Sequence, residues 1–434
     1  MIIKIKSPNE NLLDILHKNP NTDFGLYAKN LKNGVIVGNC IDKNNYEVVF
    51  QDSKYSYLPE DSNLIDFQSY CSPLAVLHIC NEFFSPILRS KTEYNAAIIK
   101  WLNKTLQEID NKECEIEIPT FYINSNWAKQ DNFLLSNYFE NVKVTHMLGK
   151  NYQLSVKGNS VFEAMNLLNL VSVFVHITNN YGVFTFIDDN FSEKYARILT
   201  NISNVPYFVF YLFIKRATKT EKQFQLIKPV FENYLKKQGI DAKLTYYPTH
   251  LARIHFIVDK IDMQFPILDV GCGEFIYYKK MMKLGFEKKY FAIDEDEKFL
   301  EMSKNIQERY HENNLEFHGN LETFESNYNN EKVTVLLTEV IEHNSIESAK
   351  TLINRILKYN INQLFITTPN KDFNSFYFED EDEMRHDDHD FEMTNLEFID
   401  FINSCEIGNY KVKFHQIGDL LNGKQPTQAC IITQ

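Results

Sequence analysis

The sequence predicts two domains: an α+β domain over residues 1–240, and an α/β domain over residues 241–434 built on a parallel, doubly wound sheet. From about residue 250, short apolar runs alternate regularly with helical patterns, which is typical of parallel sheets covered by helices. Before about residue 215, β-rich runs and helical patterns follow one another without that regularity. Between them, residues 217–239 are first polar, then helix-periodic, and end at a glycine, which predicts a domain junction.

The first half contains four β-rich runs and two clear helical patterns. The runs are GVIVGN (34–39), YEVVFQ (46–51), CEIEIP (114–119) and VFTFID (183–188), and the helical patterns are SPLAVLHICNEFF (72–84) and VFEAMNLLNLVSVF (161–174). The longest apolar run, VPYFVFYLFI (205–214), is about half the ~20 residues that span a bilayer. It predicts a buried strand or helix, and no membrane segment is expected.

The second half contains five candidate strands. They are FPILDVGCGE (265–274), YFAIDEDE (290–297), LEFHGNL (315–321), VTVLLTEV (333–340) and NQLFITTPN (362–370). Helical sequence lies between most of them, so we expect five parallel strands. The segment YYPTHLARIHFIVDKI (246–261) is expected to be a helix that packs on this sheet.

Cysteine usage and the N-terminus predict a cytoplasmic protein. The seven cysteines form no CxxC pair, which argues against a zinc ribbon and against a disulfide framework. The N-terminal stretch MIIKIKSPNENLLD lacks the apolar core of a signal peptide. The cysteines are residues 40, 71, 80, 114, 272, 405 and 430.

Charge is distributed unevenly between the two halves. Residues 1–240 contain 25 Lys and Arg against 24 Asp and Glu, whereas residues 241–434 contain 20 against 34. The second half therefore carries a net charge of −14, so a broad basic track along nucleic acid is not expected there. If this half binds RNA or DNA, it should contact few phosphates or use a cation.

A glycine turn follows the first strand of the second half. In ILDVGCGE (267–274), the glycines allow the backbone to approach a ligand closely at the carboxyl edge of a parallel sheet. Asp294 ends the next strand, 21 positions after Gly273, a spacing that suits a carboxylate accepting both hydroxyls of a ribose. The dinucleotide motif GxGxxG is not met, because Phe275 and Ile276 follow. The pattern resembles that of Rossmann-like S-adenosylmethionine (SAM) methyltransferases; the alternative is a tight turn beside a surface aspartate.

Two carboxylates and an imidazole follow the fourth strand, in VLLTEVIEHN (335–344). Glu339, Glu342 and His343 have the spacing i, i+3 and i+4, which suits one face of a helical turn. Such ligands favour Mg²⁺ or Mn²⁺ over structural zinc, which prefers thiolates. The alternative is an ordinary solvated helix start, since Asn344 and Ser345 are also capping residues. The later stretch RHDDHDFE (385–392) supplies a fourth potential ligand.

Three stretches together resemble the Hen-type RNA 3′-terminal 2′-O-methyltransferases. They are EVIEH (339–343), TTPN (367–370) with Phe373 and Asn374, and RHDDHDFEMT (385–394). The resemblance covers about 190 residues of the second half. It implies metal-dependent transfer of a methyl group from SAM to the 2′-OH of the 3′-terminal nucleotide of RNA, marking or protecting RNA ends during repair.

The resemblance also implies roles for individual residues. His389 lies in the Asp-His-x-Phe-Glu motif whose histidine binds the metal, and His386 matches a second histidine common in bacterial members. We expect Asp388 to orient His389, and residues 368–370 to line the nucleotide pocket. The implied metal ligands are Glu339, Glu342, His343 and His389, which with His386 form the implied catalytic set. The implied SAM-binding residues are Asp269, Gly271, Gly273, Asp294, Asn320 and Leu321.

The first half resembles the N-terminal domain of bacterial Hen-type proteins. The resemblance rests on HKNP (17–20), LSVKGNSVFEAMNLLNLVSVFV (154–175) and YGVFTFIDDNFSEKYARI (181–198). It implies association with an RNA-repair polynucleotide kinase-phosphatase/ligase, whose ligase activity that domain supports. The implied substrate is an RNA 3′ end with free 2′ and 3′ hydroxyls.

Three positions depart from the family pattern. Phe275 stands where glycine is usual, Met393 where tryptophan is usual, and Asn320 where serine is common. The first two are expected to reduce activity or alter the packing around the cofactor.

Two other functions remain open. The chain could be chiefly a partner subunit that activates a ligase, with a weak or vestigial methyltransferase half. A metallohydrolase fits less well, because it leaves the glycine turn and Asp294 unexplained and because HExxH is absent.

Overall fold

The computed structural model describes residues 1–18, 25–32, 34–52, 71–129, 132–180, 189–310, 314–378 and 383–434. These residues form two compact units, Met1–Gln238 and Gly239–Gln434. The predicted strand VFTFID (183–188) lies outside the described residues. The assignment of separate functions to residues 1–240 and 241–434 stays a prediction.

The first unit contains a seven-stranded antiparallel sheet in the order β10-β11-β7-β1-β4-β3-β2. Exposed and buried residues alternate along β1, IIKIK. One face of this strand is therefore apolar and packs on the core, which is typical of antiparallel sheets. The strands are β1 (Ile2–Lys6), β2 (Gly25–Leu31), β3 (Gly34–Asp42), β4 (Asn45–Asp52), β5 (Ile98–Ile99), β6 (Lys104–Thr105), β7 (Cys114–Tyr122), β8 (Ala128–Lys129), β9 (Asn132–Phe133), β10 (Val142–Leu148) and β11 (Asn151–Gly158).

Helices complete this unit, and its α+β class agrees with the prediction. The run VPYFVFYLFI forms a helix that continues into a π-helical turn at Phe213–Ala217. The helices are α1 (Leu12–Ile15), α2 (Pro73–Phe83), α3 (Lys91–Ala96), α4 (Leu106–Ile109), α5 (Leu134–Tyr138), α6 (Val161–Thr178), α7 (Asp189–Asn201), α8 (Tyr207–Leu212) and α9 (Glu221–Lys237).

Helix α6 corrects the expectation that no apolar segment approaches the length of a membrane span. It has 18 residues and a mean hydropathy of 1.5, which is long and apolar enough to cross a bilayer. However, 94% of the helix is buried inside the unit, where it packs against α2, α7, β7 and β11. Such extensive burial indicates that α6 is a core helix of this unit.

The second unit contains a seven-stranded mixed sheet in the order β15-β14-β13-β16-β17-β20-β18. The five predicted strands are parallel, and the order reverses between β14-β13 and β16-β17. The strands are β12 (Ala242–Lys243), β13 (Ile267–Val270), β14 (Tyr290–Ile293), β15 (Leu315–His318), β16 (Val333–Thr338), β17 (Ile361–Pro369), β18 (Lys411–Ile417), β19 (Leu420–Leu421) and β20 (Thr427–Thr433).

Helices cover both faces of this sheet, as the doubly wound prediction requires. Alternate residues of β13 belong to different cores: Leu268 and Val270 to one face, and Ile267 to the other. The helices are α10 (Thr249–Val258), α11 (Ile276–Met282), α12 (Lys298–Tyr310), α13 (Leu321–Glu325), α14 (Ile346–Ile356) and α15 (Asn395–Asn403).

The sequence interpretation missed β18 and β20, so the sheet is mixed and not wholly parallel. Both strands run antiparallel to their neighbours: β20 pairs with β17, and β18 pairs with β20. Their connection contains only the short strand β19 and its turn, which is too short for the crossover that a parallel pair requires.

Candidate functional site

The carboxyl ends of β13, β14, β16 and β17 form one edge of the second unit's sheet. Strand order reverses between β13 and β16, and open α/β sheets bind ligands at such a switch point. All four strands are followed by residues that the sequence marked as functional. The fold therefore brings the predicted cofactor and metal residues to the same edge.

The glycine loop after β13 requires glycine where it approaches the segment after β16. Gly271 and Gly273 have φ angles of 74° and 48°, in the left-handed region. A Cβ atom on Gly271 would lie 2.5 Å from Cγ2 of Val340, so a side chain there would displace Val340. The loop thus passes close to the segment that carries the predicted metal ligands.

Asp294 lies against this loop, as its spacing predicted. Its Oδ2 accepts a hydrogen bond from the Gly273 N–H at 2.9 Å, and its Oδ1 accepts one from the Asp296 N–H at 3.1 Å. An ionised carboxylate accepts about four hydrogen bonds, so both oxygens can still receive ribose hydroxyls. This geometry suits the predicted role of Asp294, which stays a prediction.

Asn320 and Leu321 lie at the end of the neighbouring strand β15. The Asp294 N–H donates to the carbonyl of His318, which places the ends of β14 and β15 side by side. Asn320 Oδ1 accepts the Thr323 N–H at 2.9 Å and caps α13, while Leu321 is buried. Asparagine and serine are equally good caps, so this departure preserves the helix start.

Asp269 is fully buried beneath the glycine loop. Its Oδ2 accepts a hydrogen bond from the Tyr290 hydroxyl at 2.5 Å, and its Oδ1 has no partner among the described residues. Burial raises the pKa of Asp269 from 3.8 to about 7. Below about pH 7 the protonated form of Asp269 is therefore favoured in the folded chain, and that form can donate a hydrogen bond as well as accept one.

This raised pKa predicts how stability depends on pH. The contribution of Asp269 is fully present below about pH 4 and is lost as pH rises through about 7, because ionisation is disfavoured in the fold. Between those values the free energy of unfolding should fall by about 1.4 kcal/mol per pH unit from this group. Asp269→Asn, neutral throughout, should remove that slope in urea unfolding without SAM. An unchanged slope would contradict the assignment.

Three of the four predicted metal ligands converge. Potential ligand atoms of Glu342, His343 and His389 all lie within 4.8 Å of one another. Glu342 and His343 belong to a 3₁₀ turn after β16, and His389 comes from the segment before α15. The Asp390 N–H donates to the Glu342 carbonyl at 2.8 Å, which joins this segment to the turn.

The environment of Glu342 fits a bound cation. Its carboxylate is fully buried; Oε2 accepts from Thr368 Oγ1 at 3.0 Å, whereas Oε1 has no partner among the described residues. Burial, followed by the charge of Glu339, raises the pKa of Glu342 well above its usual range. An unpaired buried oxygen beside two imidazoles is a donor set that a divalent ion such as Mn²⁺ or Mg²⁺ would complete.

Glu339 lies outside the cluster formed by the ligand atoms of these three residues. Its backbone is left-handed, with φ of 53°, and the next turn is 3₁₀, so the continuous helical face expected from the spacing does not form. Its Oε2 lies 2.7 Å from Nη1 of Arg253, and its Oε1 accepts from Thr367 Oγ1 at 3.0 Å. Metal binding by Glu339 stays a prediction.

The two imidazoles have different partners. His389 Nδ1 is 2.7 Å from Oε1 of Glu392, whereas His343 Nδ1 is 3.1 Å from the carbonyl oxygen of Asp388. The expectation that Asp388 orients His389 is therefore wrong: Asp388 contacts His343, and Glu392 contacts His389. His386 is exposed, with its ring centre 5.3 Å from that of His389.

Arg253 was missed by the sequence interpretation. It lies in α10, whose helical character was predicted, and its guanidinium reaches the end of β16. A single arginine far from the motifs in sequence gives no signal of its own.

Residues 368–370 were predicted to line the nucleotide pocket. The side-chain amide of Asn370 is already used within the chain, because its Nδ2 donates to the Gln425 carbonyl at 2.9 Å.

Comparison with known proteins identifies the family. A model described as the Hen1 N-terminal domain matches residues 2–236, which is more than half of the chain. The chain belongs to the Hen1 family. It is 48% identical to a chain in the structure of the Pnkp1/Rnl/Hen1 RNA repair complex, with a TM-score of 0.89 and full coverage of both chains. A second structure of the Pnkp1/Rnl/Hen1 complex also gives 48% identity, with a TM-score of 0.87.

A shorter match connects the Hen1 chain to an animal protein. It is 32% identical over 74 residues to the small RNA 2′-O-methyltransferase of Caenorhabditis elegans. The match spans only 17% of this chain and 17% of the nematode protein.

Two of the departures from the Hen1 pattern are buried. Phe275 is fully buried with φ of 56°, a conformation that glycine adopts without strain, and its ring packs near Phe299 and Phe317. Met393 is also buried, and its carbonyl accepts the Lys371 N–H at 2.9 Å. At Phe275, packing therefore offsets backbone strain.

Restoring glycine at this position is expected to destabilise the second unit. Phe275→Gly relieves about 1–2 kcal/mol of strain but removes a buried ring that contributes about 3–5 kcal/mol, so the free energy of unfolding should fall by about 1–4 kcal/mol. Phe275→Ala retains the strain and should lose about 1–2 kcal/mol more. Urea unfolding of both variants checks this; a glycine variant more stable than the parent would contradict it.

Proposed function

We propose that this Hen1-family chain transfers a methyl group from SAM to the 2′-OH of the 3′-terminal nucleotide of RNA, with a divalent metal at the site. The observation that carries the proposal is the fully buried Glu342, which has a carboxylate oxygen without a partner among the described residues and has a potential ligand atom within 4.8 Å of those of His343 and His389. The nematode relative is named a small RNA 2′-O-methyltransferase.

The glycine loop and Asp294 provide the cofactor site in this proposal. At Gly273 nothing lies within 4 Å of where a Cβ would be, so the backbone there is open to SAM, and Asp294 beside it would accept the ribose hydroxyls. Asn320 and Leu321, at the end of β15, flank the adenine. SAM held by these residues would lie at the switch point of the sheet and would supply the methyl group.

The metal site would be formed by Glu342, His343 and His389, with Glu339 as the fourth predicted ligand. A divalent ion there lowers the pKa of a hydroxyl that it contacts and fixes that hydroxyl's position. The chain's own contribution is rigid placement: Thr368 holds Glu342, and the Asp390–Glu342 backbone hydrogen bond joins the two ligand segments. His386, the fifth residue of the predicted catalytic set, is exposed and its ring centre lies 5.3 Å from that of His389.

The acidic character of the second half supports recognition of an RNA terminus. With a net charge of −14, residues 241–434 would bind a phosphate backbone poorly. Attraction to the RNA end would instead come from the divalent ion that Glu342, His343 and His389 would hold. Internal nucleotides would be excluded if recognition requires the free 3′-OH that they lack.

The first unit is proposed to bind RNA-repair partners. Two solved structures that match the whole chain are titled as Pnkp1/Rnl/Hen1 complexes, which supports association with a kinase-phosphatase and a ligase. The same observation favours a second candidate: a subunit that chiefly activates the ligase, with weak methyl transfer. The intact cluster of Glu342, His343 and His389 argues against a vestigial catalytic half.

One experiment tests the activity directly. Methyl transfer from labelled SAM is measured with Mn²⁺ on short RNAs that end in 2′,3′-OH, 2′-deoxy or 3′-phosphate, with and without the cognate ligase. We expect transfer only to the 2′,3′-OH RNA. No transfer to any RNA, combined with stimulation of ligation, would favour the partner-subunit function.

A further inference from the structure

A buried carboxylate outside the predicted ligand set contacts His389. The side chains of Glu392 and His389 are 1% and 4% exposed, and Oε1 of Glu392 lies 2.7 Å from Nδ1 of His389. The same carboxylate accepts the Arg385 backbone N–H at 2.8 Å and Asn374 Nδ2 at 2.6 Å. Three nitrogen atoms thus converge on one carboxylate that solvent barely reaches.

This arrangement fixes which nitrogen of His389 carries the proton. Two of the three neighbours, the Arg385 N–H and the Asn374 amide, can only donate at these contacts, so the Glu392 oxygens act as acceptors. With Glu392 as a carboxylate, Nδ1 of His389 is the third donor, so in the neutral imidazole the proton is on Nδ1 and Nε2 is the unprotonated nitrogen. His343 reaches the same state independently, because the Asp388 carbonyl at its Nδ1 can only accept.

The carboxylate is itself held rigidly. The Arg385 guanidinium donates to Oδ1 of Asn374 at 2.9 Å, and to the carbonyls of Asn370 and Pro426 at 2.7 and 2.6 Å. Asn370 follows the end of β17, and Pro426 precedes β20. The segment carrying His389 is therefore anchored to two strands through Arg385, Asn374 and Glu392.

We propose that Glu392 is a positioning residue that holds His389 in the Nδ1–H tautomer and presents its Nε2 to the divalent-cation site. The identity of the bound ion rests on the proposed function, whereas the tautomer does not. A carboxylate that accepts a hydrogen bond from Nδ1–H also makes Nε2 of the same ring more basic and hence a stronger metal ligand. Loss of an orienting carboxylate of this kind lowers metal affinity by about 10–100-fold.

The test combines the tautomer with metal binding in the full chain. In the metal-free parent, long-range ¹⁵N–¹H spectra of ¹⁵N-histidine-labelled protein should show His389 as the Nδ1–H tautomer; His389→Asn assigns its signals. Glu392→Gln should give a mixture of tautomers. It should also raise the Mn²⁺ dissociation constant, measured by calorimetry, by about 10–100-fold. Glu392→Asp, which keeps the charge, should recover part of that affinity.

The control is Glu397→Gln, the same chemical change at an exposed carboxylate that caps α15. Glu397 Oε2 accepts from the Thr394 N–H, and glutamine serves equally in such a capping box, so the tautomer and Mn²⁺ affinity should not change. SAM affinity verifies that each variant is folded.

Two results would overturn the proposal. One is an Nε2–H tautomer for His389 in the metal-free parent, a measurement that needs no variant to fold. The other is Glu392→Gln with unchanged tautomer and Mn²⁺ affinity within twofold of the parent. Failure of the parent to methylate RNA would instead refute the proposed function and leave the tautomer result intact.

Discussion

His389→Ala is expected to reduce methyl transfer by at least about 100-fold while leaving SAM affinity within about twofold. Removing even an orienting neighbour of a metal ligand costs about 10–100-fold, so removing the ligand itself should cost at least as much. SAM affinity should persist because Asp294 is hydrogen-bonded to the glycine loop, whereas His389 is hydrogen-bonded to Glu392. Rates with labelled SAM and calorimetry with SAM alone separate the two effects.

The appropriate comparison is His386→Ala. This imidazole is exposed, and the described residues give it no buried carboxylate partner. We therefore expect His386→Ala to reduce methyl transfer less than His389→Ala does. Undiminished transfer by the parent in excess EDTA would refute a metal requirement. Equal losses in both variants would instead indicate that the two histidines share one role.

The features predicted correctly from sequence are those set by local patterns. An apolar strand followed by glycines specifies a tight turn at a sheet edge, and regular alternation of strands and helices specifies parallel neighbours. Those two facts are enough to bring the loop at Gly271 beside Asp294, as the structure shows. They also place Glu342 and His343 at the same edge, because both follow the adjacent strand β16.

What sequence could not supply depends on side-chain direction and on distant partners. The i, i+3, i+4 spacing indicated that Glu339 faces the same way as Glu342, but the left-handed backbone at Glu339 turns it toward Arg253. Likewise, adjacency suggested Asp388 as the partner of His389, whereas a turn brings Glu392, three residues later, into that position. Sequence spacing thus predicts which residues lie near one another, whereas the backbone angles determine which side chains are in contact.

Arg253→Met is expected to destabilise the second unit by about 2–3 kcal/mol. The change leaves Glu339 as a mostly buried carboxylate without its counter-ion, and an uncompensated buried charge is costly. For a unit of this size the temperature of the thermal transition should fall by about 4–12 °C. The transition to follow is the one that added SAM raises, since that identifies the unit containing the glycine loop.

The double variant Arg253→Met/Glu339→Gln distinguishes a lost ion pair from lost packing. Removing both charges eliminates the uncompensated carboxylate, so most of the thermal stability should return, with a coupling energy of about 1–3 kcal/mol. Glu339→Gln alone leaves Arg253 without its carboxylate, and Thr367 Oγ1 can still donate to the amide oxygen. If the loss of stability in the double variant equals the sum of the losses in the two single variants, the two residues are not coupled. Arg253 would then act through packing of α10, and its 2.7 Å contact with Glu339 would not set the stability of this edge of the sheet.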